Sequence, residues 1–215
     1  MYNNIDNKNN KNNFIKGGFT KLLKPFEESI KDIEKITKAF GLAIKIHSDI
    51  IRKYQSDVTE PQINHSLRVA LILSEEIKMN ESDLVCSALL HDIFNKPDLS
   101  QEIKDHIKIE IGEKVYKTIS FFNKKTKKNN NKSSSNGAGA EAIEIQISKI
   151  KKADIYVKCI ILAERLDDIR SLKNSRRKDK IARFKEETQK YFLPLAEQTN
   201  EKILLKLIIA LYELK

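Results

Sequence analysis

The chain has 215 residues, 40% of them hydrophobic and 33% charged, with a formal net charge of +10. That length suits one domain with a substantial core. The positive balance comes with abundant Lys, Asn and Ile, and no aromatic-interleaved basic stripe supports a nucleic-acid groove. Nothing reads as a signal peptide, because "MYNNIDNKNNKNN" lacks an apolar stretch. The longest apolar run, "ILLKLIIALY" from Ile203 to Tyr212, contains Lys206 and is too short to span a bilayer. Cys86 and Cys159 both lie in apolar contexts, which predicts two buried thiols and a cytoplasmic protein.

In chain order, residues 1–18 are rich in Asn and Lys and are expected to be a disordered tail, with the folded domain over 19–215. Pro25 and Pro61 suit the first turns of helices. "INHSLRVALILSEEI" places Leu67, Ala70, Leu71 and Ser74 at helical spacing. "ESDLVCSALLHDIF" predicts a mostly buried helix with Ser82 or Asp83 near its start. "NKKTKKNNNKSSSNGAGA", over 123–140, has no apolar periodicity and is expected to be a flexible exposed loop within the domain. "DIYVKCIILAERLDDIRSL" predicts a second buried helix, and Lys178–Lys215 two amphipathic helices broken near Pro194. No strand alternation competes, so the expected class is all-α.

Three apolar helices carry groups that are costly to bury unpaired: His65, then His91 with Asp92, then Glu164, Asp167 and Asp168. Two neutral imidazoles with two carboxylates suit Mn, Fe or Zn and leave positions open for water and substrate. Neighbouring residues on a helix project about 100° apart, so His91 and Asp92 can share one metal only at a helix end or in a crevice.

His65, His91-Asp92 and a late acidic residue resemble the signature of the HD metal-dependent phosphohydrolases. "IRKYQ", "INHSLRVALIL", "ALLHDI", "LAERL" and especially "YFLPLAE" resemble, over Phe40–Leu214, the hydrolase domain of RelA/SpoT proteins and small alarmone hydrolases. The resemblance implies an HD-domain helical bundle that binds one Mn2+. It also implies hydrolysis of the 3′-pyrophosphate of (p)ppGpp, giving GDP or GTP and pyrophosphate. It assigns His65, His91 and Asp92 to the metal. Glu164 stands where the family carries aspartate, with Asp168, one turn on, as an alternative ligand or a nucleotide contact. Arg52 and Lys53 match a basic pair that lies against the nucleotide, and His47 a histidine near the pocket. A guanosine polyphosphate partner follows, and neither membrane nor nucleic acid is expected.

One departure bears on turnover. Where active relatives carry a Glu-Asp pair after "HD", this chain has Asn95 and Lys96. Neither is an ordinary general base, and Asp98 is the nearest carboxylate that could substitute. Three readings therefore stay open: a slow alarmone hydrolase, a degenerate domain that binds a nucleotide or partner without turnover, and an HD phosphohydrolase of another nucleotide.

Overall fold

The structure, a computed structural model, describes residues 3–47, 50–53, 59–96, 99–123, 138–173 and 175–214. Its elements in chain order are α1 (Asn3–Leu23), α2 (Ile30–His47), β1 (Ile51–Lys53), β2 (Thr59–Pro61), α3 (Gln62–Leu71), α4 (Ser82–Leu90), α5 (Gln101–His106), α6 (Glu113–Ser120), α7 (Ala138–Lys151), α8 (Ile155–Leu172), α9 (Lys178–Glu187), α10 (Leu193–Glu197) and α11 (Glu201–Glu213). The fold is all-α apart from one short two-stranded antiparallel ribbon, β1 with β2, in which Arg52 lies opposite Glu60. No helix among the described residues is long and apolar enough to cross a membrane.

Helix α4 is the centre of the bundle. Leu84 to Leu90 are all buried, and α4 packs against α2, α3, α6 and α8. Each fully buried leucine here contributes roughly 1.5–3 kcal/mol of transfer free energy, which is why so short a helix can anchor the core. Helix α8 is the second axis, packed on α3, α4 and α11. Its start is fixed by Asp154, whose side chain accepts a 2.8 Å hydrogen bond from the Tyr156 amide. Asn200 caps α11 in the same way through Ile203. Pro61 precedes α3, where its missing N–H removes no intrahelical bond. Pro194 opens α10 after a widened turn at Thr188–Phe192. Cys86 and Cys159 are free and buried, and burial pushes both thiols up to about 12, so they stay protonated.

The disordered tail expected over 1–18 is replaced by α1, which docks on α3. Ile15, Phe19 and Leu22 recur at i, i+4 and i+7 and face the core, and the Phe19 ring stacks on Phe40 with centroids 4.1 Å apart. Gly18 makes the approach possible, because a Cβ there would lie 2.9 Å from a Leu67 methyl carbon. The surrounding Asn and Lys residues dilute this three-residue stripe in any composition average. Of the flexible loop expected over 123–140, residues 124–137 lie outside the described residues, and α7 begins at Ala138.

Candidate metal centre

The buried end of α4 turns His91 and Asp92 into the crevice between α3 and α8. The helix stops at Leu90, and the chain passes through His91-Asp92 into a single tight turn at Ile93–Asn95. That helix end lets adjacent side chains converge. His65 arrives from α3 and Glu164 from α8, and one donor atom from each of His65, His91, Asp92 and Glu164 lies within 4.8 Å of all the others. Both histidines are 0% exposed. His91 Nε2 is 3.2 Å from Glu164 Oε1 and 3.5 Å from Asp92 Oδ2, and His65 Nε2 is 3.7 Å from Glu164 Oε1.

The far sides of the two rings are committed. His65 Nδ1 lies 2.8 Å from Asp167 Oδ2, and His91 Nδ1 lies 2.7 Å from the Ala88 carbonyl. Both partners are acceptors, so both Nδ1 atoms carry the hydrogen and both Nε2 atoms turn lone pairs toward the carboxylates. Lone pairs facing anions in a buried site favour positive charge between them, whether a proton on the ring or a bound cation. The electrostatics agree. Burial acts to lower the His91 pKa, yet the charges of Asp92 and Glu164 outweigh it and raise it above 6.5. Burial acts to raise Glu164, and His91 followed by His65 outweighs it and holds the carboxyl well below its usual range. A site that favours positive charge on a wholly buried ring, with nitrogen and oxygen donors gathered in front of it, fits a divalent cation.

Asp167, one of the acidic group on α8, takes a place of its own that the sequence does not assign to it. It lies three positions after Glu164 and is buried, facing α3, whereas Asp168, four positions after, faces the pocket. Burial acts to raise Asp167, and the bond to His65 with the Arg68 charge outweighs it, so the carboxylate stays ionised. Arg68 binds it through Nε at 2.7 Å.

A pocket of about 210 Å³ opens beside the cluster, lined in part by Asp92, Glu164, Asp168, Phe121 and Phe122. The Phe122 ring meets His91 edge-on at 5.6 Å. Arg165 also lines this pocket, but its polar edge is spent elsewhere. It lies over the rings of Phe184 at 4.0 Å and Phe192 at 4.4 Å, and donates to Thr188 Oγ1 and the Phe184 carbonyl. It therefore ties α8 to α9. Arg170 pairs in a fork with Glu76, at 2.6 and 2.8 Å.

A family profile described as the HD domain matches residues 39–200. The chain belongs to the HD domain family. The matched span carries all four clustered residues. Among solved structures, a metazoan ortholog of SpoT, described as hydrolysing ppGpp and playing a role in starvation responses, aligns with a TM-score of 0.64 and 23% identity. The alignment covers 83% of this chain and 94% of that one, which establishes a shared fold. A search of curated proteins found no match.

Around the HD doublet, the remaining expected residues divide. Asn95 donates through Nδ2 to Asp92 Oδ1, and Gln62 donates to Asp92 Oδ2 at 2.6 Å, so Asn95 holds Asp92 rather than facing a reacting atom. Lys96 is exposed just beyond. Asp98 lies outside the described residues. Asp168 is outside the four-residue cluster and on the pocket wall. Arg52 and Lys53 lie on β1, whose backbone alone is described. His47 is buried at the end of α2, and burial pushes it down to about 4 despite the charge of Asp92.

Proposed function

We propose that this HD domain is a cytoplasmic, Mn2+-dependent hydrolase that removes the 3′-pyrophosphate of (p)ppGpp, and that it turns over slowly. The observation that carries the reading is the convergence of His65, His91, Asp92 and Glu164 at the mouth of a pocket. The segments that resemble RelA/SpoT hydrolases narrow the substrate, and the fold shared with the SpoT ortholog supports that choice.

A divalent ion held by these four residues supplies positive charge at the attacked phosphate and lowers the pKa of water there. The protein's own contribution is orientation. Asp167 and the Ala88 carbonyl fix both imidazoles, while Gln62 and Asn95 fix Asp92. The acidic pocket wall repels a bare polyphosphate, so the cation is what lets one approach. Lys96, exposed just after Asn95, adds positive charge on the same side of the HD doublet in sequence. What the site lacks is a carboxylic acid at 95 or 96, and general acid–base help is worth roughly 10²–10⁴ in rate.

Purified protein with Mn2+ and ppGpp should release pyrophosphate slowly, and GTP under the same conditions should release none. The commitment of Asn95 to Asp92 favours a second reading, binding without turnover. The same assay separates the two. Mn2+-dependent ppGpp binding with no pyrophosphate released supports the second, and faster cleavage of another nucleotide refutes the choice of substrate.

A further inference from the structure

A continuous chain of charged groups runs from the ribbon to the metal centre. Glu60 on β2 accepts from Arg68 NH1 at 3.0 Å and from NH2 at 2.6 Å. The same guanidinium donates from Nε to Asp167 Oδ1 at 2.7 Å and from NH2 to Asp167 Oδ2 at 3.1 Å. Asp167 Oδ2 accepts in turn from His65 Nδ1 at 2.8 Å. One planar side chain thus clamps two carboxylates edge to edge, from separate parts of the fold. Glu60 and Asp167 are both buried, so neither carboxylate is tolerated without its cation.

The ribbon is short. Its strands are three residues each, and a two-stranded ribbon is marginal alone in water. Glu60 lies opposite Arg52 in the backbone register, and Pro61 leads straight into α3, which carries both Arg68 and His65. The seating of the ribbon and the orientation of His65 are set by the same guanidinium.

We infer that Glu60 and Arg68 are positioning residues that couple the β1–β2 ribbon to the metal centre. The seat of the ribbon sets how His65 presents Nε2, and a cation held by His65 in return steadies the ribbon. Such coupling is reciprocal by thermodynamic necessity. The inference rests on the metal-binding part of the proposed function and is independent of the nucleotide.

The test is Mn2+ titration calorimetry on the nucleotide-free full chain, with melting temperature recorded for every variant. Asp167→Asn should weaken Mn2+ binding by about 10–100-fold, as loss of an outer partner of a metal-ligating histidine does. Glu60→Gln, two links from the cation, should weaken it by at least about 5-fold. Arg68→Lys should fall between them, since an ammonium cannot fork onto both carboxylates. Thr59→Ala, exposed on the same strand, should bind as wild type does. If the route runs through Asp167, adding Glu60→Gln to Asp167→Asn should cost little more. In wild type, Mn2+ should slow hydrogen exchange at the amides of Ile51–Lys53, and in Glu60→Gln it should not. A network that only stabilises the fold would lower the melting temperature and leave Mn2+ affinity and its effect on exchange unchanged, which overturns the inference. Should Glu60→Gln not fold, Arg68→Lys carries the same comparison. A wild type that binds no Mn2+ overturns this inference together with the metal reading, whereas failure to hydrolyse ppGpp bears on the proposed turnover and substrate and leaves this inference standing.

Discussion

Asp92 divides the site into two unlike halves. Before it, on α4 and the facing helices, each histidine donor has its orientation fixed by a second group. His91 is held by Ala88, His65 by Asp167, and Asp167 by Arg68. After it, the chain leaves the core within a turn, and the two positions a hydrolase of this type would give to acids hold an amide turned back onto Asp92 and an exposed ammonium. Binding and chemistry are thus built to different standards in one pocket. On the proposed function, the cation site is pre-organised at the expense of buried charge, while the acid–base half is left to whatever else can reach the substrate.

Removing a donor from the first half should have the largest effect. His91→Ala should abolish measurable Mn2+ binding. In wild type, free Mn2+ at 100 times its Kd should stabilise the fold by about 2.7 kcal/mol through mass action, and the variant should lose that gain. Equal thermal shifts with Mn2+ in the two proteins would place the ion elsewhere.

Restoring an acid to the second half is the complementary change. Lys96→Asp adds a carboxylate while leaving Asn95 on Asp92. Turnover of ppGpp should rise by up to about 10²–10⁴ with Mn2+ affinity unchanged. A wild type that already turns over rapidly, and slows on this substitution, would show that the second half is complete by another arrangement.

His47 gives a third, smaller contrast, because it lies behind both halves. Among the described residues neither of its ring nitrogens has a hydrogen-bond partner, and burial pushes it down to about 4 against an ordinary 6.5. Asp92 works against that shift, while His91, Lys96 and His65 add to it. The folded protein keeps the ring neutral, and the unfolded chain takes up a proton first as pH falls. The contribution to stability is therefore intact above about pH 6.5 and is lost progressively toward pH 4, by up to about 3 kcal/mol. Urea unfolding at pH 7.5 and 4.5 should show a smaller acid loss in His47→Leu than in wild type. Equal losses would mean that His47 is protonated as readily in the fold as outside it.

Legibility in the sequence follows the same division. The apolar runs of α4 and α8 announce themselves, because burial on every side leaves few polar positions in them; Glu164 lies on α8, His91-Asp92 follow directly on the end of α4, and His65 lies on the neighbouring α3. What the sequence left hidden depended on tertiary geometry. Glu164, Asp167 and Asp168 read as one acidic cluster, and only the crossing of α8 over α3 sends Asp167 to His65 and Asp168 to the pocket. The ribbon was missed because three-residue strands are too short to show alternation. Docking of α1 was missed because the Asn- and Lys-rich composition hides its three-residue apolar stripe, and Gly18 serves close packing on Leu67. Asn95 looked like a lost catalytic acid, and its hydrogen bond gives it work within the first half.

That last point yields the finest test. Asp92 accepts from Gln62 at one oxygen and from Asn95 at the other. With both in place, the carboxylate has one orientation toward His91 and Glu164. Asn95→Ala removes one tether and leaves the other, so Asp92 gains rotational freedom that a bound cation must take away again. Mn2+ affinity should fall by about 10-fold, the lower end for loss of an outer partner, or about 1.4 kcal/mol. Gln62→Ala should cost a similar amount, and the double variant more than either, since no second donor then remains on Asp92. Calorimetry on the nucleotide-free protein reads all three. If Asn95→Ala leaves Mn2+ affinity untouched and instead raises KM for ppGpp, Asn95 belongs to the substrate side, and its hydrogen bond to Asp92 does not position that carboxylate for the cation.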